Sequence, residues 1–282
     1  MIRTAKQLKD KVRNLSGGDS SRAQTLIRNY MMERFLERIT LSRFRNNFIL
    51  KGGMLVAAIV GLETRATMDI DTTVKALPLN SVQTRAIIEE IISVEIDDGV
   101  RFSISKESNI MEEHDYPGIR YILDVTLDKL QEIIKIDVST GDIITPGAIE
   151  YSFKLMFEDR RISLWTYNLE TVLGEKLETM MARGTANTRM RDFYDVFVLY
   201  RQEKSCLSAT TLSSAFVATS EKRNTTALIL DLMKILQEVH ESPEMLKSWE
   251  GYKRNNYYVE DLSWDKAMEA VIELARSIQP QI

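Results

Sequence analysis

Cysteine and histidine are almost missing from these 282 residues. The single cysteine, Cys206, excludes an internal disulfide framework and any zinc site made from several thiolates. His114 and His240 are the only histidines and form no ligand-spaced pair, which all but excludes histidine-based metal binding. No run approaches the roughly 20 apolar residues that a membrane-spanning helix needs. The opening Met1 to Asp10 is polar and lacks the apolar core of a signal peptide. With 5 prolines and 12 glycines, the chain shows neither a low-complexity linker nor a repeat. What remains is 44% hydrophobic and 28% charged, the profile expected of a reduced, cytoplasmic, globular protein.

The formal net charge of −4 argues against general coating of nucleic acid, but the charge is unevenly spread. Residues 1–50 carry +7 and the remainder −11. Arg22, Arg28, Arg34, Arg38, Arg43 and Arg45 fall in or beside one helical region. Such a local patch can attract phosphates while the whole protein stays acidic. The competing reading is a solvated face of an amphipathic helix.

Ser20 to Arg43 reads as a helix, with Leu26, Ile27, Tyr30, Met31, Phe35 and Ile39 at helical spacing. A short strand at Phe48–Leu50 stops at Gly52-Gly53, and a helix follows from Met54 to Val60. A strand is expected over Met68–Val74 and a helix over Leu79–Val94. Further strands are expected at Arg101–Ser105, Arg120–Leu127 and Ile133–Ser139, the last two forming a hairpin. Ile162–Trp165 reads as an edge strand. Asn168 is an expected N-cap for a helix running to about Met181 with Gly184 as its stop. Helices follow near 188–203, 208–220, 225–240, 243–254 and 264–278, with Asn224 and Ser263 at caps and Pro243 in a first turn. A mixed α/β half thus gives way to an all-helical half near residue 166.

The segment that carries chemistry is Leu50-Lys51-Gly52-Gly53, then, after a 15-residue spacer, Asp69-Ile70-Asp71. Residues two apart in a strand face the same side, so Asp69 and Asp71 project together while Ile70 points into the core. Two carboxylates so placed suit Mg²⁺, in the pairs roughly 3.5–4 Å apart used in phosphoryl transfer. The Gly-Gly turn lets backbone approach a triphosphate, whose charge a helix N-terminus and Lys51 would favour. A third acid is expected at Asp137, which shares the polar face of its strand with Lys135; Asp124 is the competing position.

Strand, Gly-Gly, helix, then a strand with Asp-x-Asp and a later acid resembles the polymerase-β-like nucleotidyltransferase superfamily, although the spacer is somewhat longer than usual there. Lys51-Gly52-Gly53 followed by Arg65-Ala66-Thr67-Met68-Asp69-Ile70-Asp71 is similar, more narrowly, to the signature of the AbiEii/AbiGii toxin family. Gly174-Glu175-Lys176-Leu177-Glu178 and Arg189-Met190-Arg191-Asp192-Phe193-Tyr194-Asp195 resemble that family's two later helical motifs.

The resemblance implies an α+β fold: a polymerase-β-like nucleotidyltransferase domain with a mixed sheet and N-terminal helices over 1–166. An all-helical C-terminal domain over 167–282 would complete the active site. It implies the toxin of a toxin–antitoxin pair linked to abortive phage infection, using Mg²⁺ and NTP, with some relatives acting on the 3′ end of tRNA. The cognate antitoxin need not touch it. Asp69, Asp71 and Asp137 would be metal-binding and catalytic. Lys176 matches the family's essential lysine, and Asp192 or Asp195 its late aspartate. Lys51, Gly52, Gly53, Arg65 and Thr67 are candidate substrate contacts. Transfer to a protein or small molecule, or an inactive NTP-binding module, are the alternatives. Trp165, Trp249 and Trp264 are expected in packing, and Cys206 is given no role.

Overall fold

The computed structural model describes residues 2–77, 80–110, 118–259 and 261–278. His114, and Leu79 at the expected start of a helix, lie outside the described residues. The chain separates into two compact units. The first comprises Met1–Ala58, Ala66–Asp142 and Ile149–Thr166; the second Ile59–Arg65, Ile143–Ala148 and Tyr167–Ile282. Two short segments that a single division at residue 166 leaves in the first half therefore group with the second.

The first unit opens with α1 (Ala5–Ser16), fixed by a reciprocal cap between Thr4 and Gln7, and α2 (Ser20–Leu41), started by Asp19 accepting from Arg22 N at 2.8 Å. Then come β1 (Phe48–Lys51), α3 (Gly52–Val60), β2 (Asp69–Val74), α4 (Ser81–Ile92), β3 (Val100–Ile110), β4 (Gly118–Leu127), β5 (Leu130–Thr140), β6 (Ile149–Lys154) and β7 (Arg161–Thr166). The strands form one mixed sheet in the order β3-β4-β5-β2-β1-β7-β6. β2 runs parallel to β5 and β1 to β7, while the other neighbours are antiparallel.

Strict alternation gives the sheet its two faces. Ile70, Tyr121, Leu123, Ile134 and Ile136 are wholly buried on one of them. α2 covers that face, where its Gln24 and Arg28 reach Glu132 of β5. A slip of one residue in β2 or β5 would turn these apolar chains outward, so the register is strongly specified. The polar partners of the same strands occupy the opposite face.

Three details differ from the sequence expectations. The β4–β5 connection is a two-residue turn, Asp128-Lys129, with Leu127 paired to Leu130 and Asp128 at φ 54°. β7 is not an edge, because β6 pairs outside it. β6 exposes or half-exposes all its side chains except Phe153, which leaves little apolar pattern to read.

The second unit contains α5 (Leu169–Arg183), α6 (Met190–Glu203), α7 (Ala209–Lys222), α8 (Leu232–Glu241), α9 (Pro243–Arg254) and α10 (Trp264–Ile278). Asn168 caps α5 by accepting from Thr171 N at 2.7 Å, and Gly184 ends it at φ 50°. Ser242 and Ser263 cap α9 and α10. The helix expected over 225–240 begins instead as a 3₁₀ helix at Thr226–Asp231, and Asn224 is a left-handed residue (φ 56°) after α7, not a cap. Trp249 and Trp264 pack 5.6 Å apart in this core, their indoles donating to Leu262 O and His240 O. Trp165, in the first unit, is half-buried and donates to Asn46. Cys206 is exposed. No described helix is long and apolar enough to cross a membrane.

Candidate active site

Four strands of the first unit bring one charged row together. Lys51 on β1 stands opposite Asp71 on β2, Asp71 beside Asp137 on β5, and Asp137 opposite Arg120 on β4. Cross-strand partners point to the same side, so the row reads plus, minus, minus, plus on the face that α2 leaves uncovered. Asp69 lies two residues along β2 on that side, beside Lys135, while Ile70 between the two acids is fully buried. Asp124 is in β4, two strands from β2 in the sheet, and pairs with Ile133 in a row beyond the start of β2.

Each acid is held by a local device. Gly52, the first residue of α3, has φ 64°, and a Cβ there would lie 2.7 Å from Asp71 Cγ. Only glycine admits the Asp71 side chain so close to the strand-to-helix turn. Gly53 follows it in the first turn of α3. Thr67 is buried, and its hydroxyl donates to the Asp69 carbonyl at 3.2 Å and to Asp69 Oδ1 at 3.3 Å. Thr67 thus orients the first acid. Asp137 accepts from Arg120 at both oxygens, at 2.7 and 2.6 Å. These bonds, and behind them the charges of Asp137, Asp69 and Asp71, raise the Arg120 guanidinium above the usual arginine value despite partial burial. Lys51 pairs with Asp142, which also accepts from Ser139 at 3.0 Å.

Among the described residues, no three of His, Cys, Asp and Glu stand together in a way that could hold a metal ion. Asp137 is paired at both oxygens with Arg120, whose strand β4 flanks β5 on the side away from β2. The donors that do share a site are Asp69 and Asp71, hard oxygens with no thiolate or imidazole beside them. That chemistry fits magnesium, which binds through one or two carboxylates and completes its shell with water and phosphate.

In the second unit the later motifs meet in a chain of alternating charge that is buried except at its Arg189 end. Lys176 Nζ lies 2.7 Å from Asp192 and 2.8 Å from Asp195. Asp192 also faces Arg189 at 2.9 Å, and Asp195 faces Arg65 at 2.6 Å. Three cations therefore share two acids. Burial works against the Lys176 ammonium, but the two carboxylates outweigh it and hold its pKa above the ordinary lysine value. Burial likewise opposes the Asp192 carboxylate, yet Lys176 and Arg189 keep it below the usual range. Lys176 is thus no ordinary surface lysine, and both Asp192 and Asp195 touch it. Arg65, a candidate substrate contact, is buried against Asp195.

The six arginines do not form one continuous surface. Arg34 and Arg38 are buried in α2, Arg34 against Glu37 and Glu158 and Arg38 against Asp98. Arg28 is mostly buried against Glu132, and the outward Arg43 and Arg45 are paired with Glu90 and Glu150. Neither a free cationic stripe nor a merely solvated face describes this helix.

Arg189 stands in the late motif and does pair with Asp192, whereas Arg120 and Asp142 carry no motif signal in the sequence. Arg120 was within reach: once Asp128-Lys129 is recognised as a tight turn, counting equally outward pairs it with Asp137.

A glycine turn and helix set against an Asp-x-Asp strand, in a mixed sheet with helices, define an α+β protein of nucleotidyltransferase type. The family model described as "Nucleotidyl transferase AbiEii toxin, Type IV TA system" matches residues 34–270, and the chain belongs to that family. It is a nucleotidyltransferase of the toxin–antitoxin class, with NTP as substrate and an antitoxin as partner. Its fold is similar to the crystal structure of JHP933 from Helicobacter pylori (TM-score 0.54, 12% identity, 92% of this chain and 93% of that one). It is equally similar to an H. pylori protein described as a candidate nucleotidyltransferase (TM-score 0.54, 14% identity, 92% and 96%). No curated protein sequence matches the chain.

Proposed function

We propose that this protein is a Mg²⁺-dependent toxin that transfers NMP from NTP to the 3′ end of tRNA, acting in the cytoplasm as part of phage defence. The observation that carries the magnesium-dependent transfer is the Asp69–Asp71 pair, with Asp71 seated where only Gly52 leaves room and Asp69 oriented by Thr67. Magnesium bound by these carboxylates would stabilise charge on the attacking and leaving oxygens. The α3 N-terminus at Gly52-Gly53 favours the triphosphate's negative charge. The acceptor hydroxyl oxygen bonds to the α-phosphorus as the bond to the bridging oxygen breaks, and pyrophosphate leaves. Asp137 is the carboxylate assigned to receive the hydroxyl proton. Lys176 is assigned to phosphate binding by its motif.

The tRNA acceptor rests on the family resemblance. The pairing of Arg28, Arg34 and Arg38 inside the first unit, together with the −11 charge of residues 51–282, favours a second reading in which a protein or small molecule is the acceptor. One experiment separates the two. The protein is incubated with total bacterial tRNA, Mg²⁺ and each NTP labelled at the α-phosphate, beside Asp69→Ala. Label in RNA with the wild type only is expected; label on protein or small molecules instead would replace the acceptor. No transfer, with NTP binding retained, would refute the enzymatic reading.

A further inference from the structure

The inference that follows rests on the transferase reading above and concerns how its third acid is controlled. Asp69, Asp71 and Asp137 crowd three carboxylates onto one sheet face, an arrangement that repels itself unless a cation is present. Lys51 and Arg120 are the cations at the two ends of the row, and Arg120 is the one on Asp137. It binds both oxygens of Asp137 in a bidentate pair at 2.7 and 2.6 Å, and the charges of Asp69 and Asp71 also act on it. Its strand lies on the far side of β5 from β2, so the pair engages Asp137 from the side opposite Asp71, and among the described residues the three acids form no metal-holding group.

The Arg120 side chain is 36% exposed while Asp137 is 14% exposed, so the guanidinium sits at the rim of the row. Among the described residues its guanidinium hydrogen-bonds to Asp137 alone. A guanidinium matches phosphate oxygens in the same two-pronged geometry as a carboxylate.

We propose that Arg120 is a positioning residue that keeps Asp137 in reserve and exchanges it for a phosphate of the arriving NTP. Arg120 leaves the carboxylate, two N–H donors pass to phosphate oxygens, and Asp137 turns toward Asp69 and Asp71. No covalent bond changes in this exchange. The three-acid set is therefore assembled by substrate rather than standing ready without it.

The test measures Mn²⁺ binding by electron paramagnetic resonance, with Mn²⁺ standing in for Mg²⁺. Wild type, Arg120→Ala, Arg120→Lys, Asp137→Asn and Asp69→Ala are compared, without nucleotide and with an α,β-methylene NTP that cannot react. Without nucleotide, Arg120→Ala should bind Mn²⁺ about fivefold more tightly than wild type, the scale of releasing one partly exposed ion pair. Arg120→Lys, which keeps the charge but loses the fork, should fall between them. With nucleotide the order should reverse for NTP affinity, and KM for NTP should rise more than kcat falls. Asp137→Asn should lose the gain when combined with Arg120→Ala.

Nucleotide-free Mn²⁺ affinity that is unchanged or weakened in a folded Arg120→Ala protein would overturn the exchange. If Arg120→Ala does not fold, Arg120→Lys carries the same comparison. Failure of the transferase reading looks different: Asp69→Ala would then bind Mn²⁺ and NTP as the wild type does.

Discussion

The chain Arg65–Asp195–Lys176–Asp192–Arg189 makes an ordering prediction that runs against the usual ranking by charge removed. Replacing Lys176 by Met takes away the central cation, yet each acid keeps a guanidinium: Asp192 keeps Arg189 at 2.9 Å and Asp195 keeps Arg65 at 2.6 Å. What remains is two acids and two cations. The loss is two charge-assisted hydrogen bonds, offset in part because no ammonium need be buried, so about 1–3 kcal/mol is expected. Asp195→Asn is different. It leaves Arg65, a side chain only 6% exposed, and Lys176 facing a neutral amide, with three cations sharing one acid. Removing one partner of a buried pair costs about 3–5 kcal/mol. Asp195→Asn should therefore be the more damaging by roughly 2 kcal/mol, or about 5 °C in Tm.

Trp249 and Trp264 are buried in this unit, so tryptophan fluorescence during thermal and urea unfolding reports on it. A Lys176→Met protein as unstable as Asp195→Asn, or more so, would refute the alternating-charge account. The pH dependence has two limbs. Asp192 is held low, so its contribution is full at neutral pH and is lost as pH falls through its folded value. Lys176 is held high, so its contribution is full below the ordinary lysine value and disappears only as pH rises through the elevated one. Asp192→Asn should remove part of the acid limb and leave the alkaline limb. Transfer by Lys176→Met should be lost at temperatures where the protein is still folded if that lysine also grips phosphate.

Gly52→Ala combines a left-handed φ of 64°, worth about 1–2 kcal/mol against a Cβ, with a collision against Asp71. Nucleotide transfer should fall by about 100-fold, the scale of a 1 Å misplacement, with only a modest drop in Tm; activity near wild type would refute the cradle. Glu33 is fully buried and burial pushes its carboxyl up to about 8, so stability of the first unit should fall as pH rises from the ordinary carboxylate value through that point. Glu33→Gln should stabilise the protein above pH 8 and change little near pH 5 in parallel denaturation curves; the opposite pattern would show an ionised Glu33. Arg43→Ala with Arg45→Ala should leave RNA binding and its salt slope unaltered, because both guanidiniums are already paired; a slope lowered by about 2 would restore a phosphate-binding surface.

What could be read from the sequence was what has a local signal. α5 lies within two residues of expectation because Asn168 and Gly184 mark its ends by side-chain capping and left-handed backbone, both encoded in one residue each. β2 could be read because a period of two forces Asp69 and Asp71 to one side wherever Ile70 is buried. β6 could not, since its one buried side chain, Phe153, gives no alternation, and its place is set by pairing with β7. The 3₁₀ start of the helix expected over 225–240 was hidden for a related reason: an apolar run such as Ala227-Leu228-Ile229-Leu230 reads as α-helix, yet Leu230 is 94% exposed and the backbone is wound as a 3₁₀ helix.

The charged residues were harder, and the reason is physical rather than statistical. Glu33, Arg34, Glu37 and Arg38 look like one solvent-facing stripe if charge is assumed to seek water. Three of them are buried with partners distant in sequence: Arg38 meets Asp98, Arg34 meets Glu158, and Glu37 meets Arg160. No helical periodicity carries that information. The same holds for Arg120, whose meaning appears only when the hairpin register sets it against Asp137, and for Arg65, whose partner is 130 residues away. Arg65, Lys176 and Arg189, which hold Asp192 and Asp195, lie inside the motifs, whereas Arg120, which holds Asp137, lies outside every motif. Control of the third acid is therefore expected in a cation that no motif names, and Arg120 is where the register of this sheet puts it.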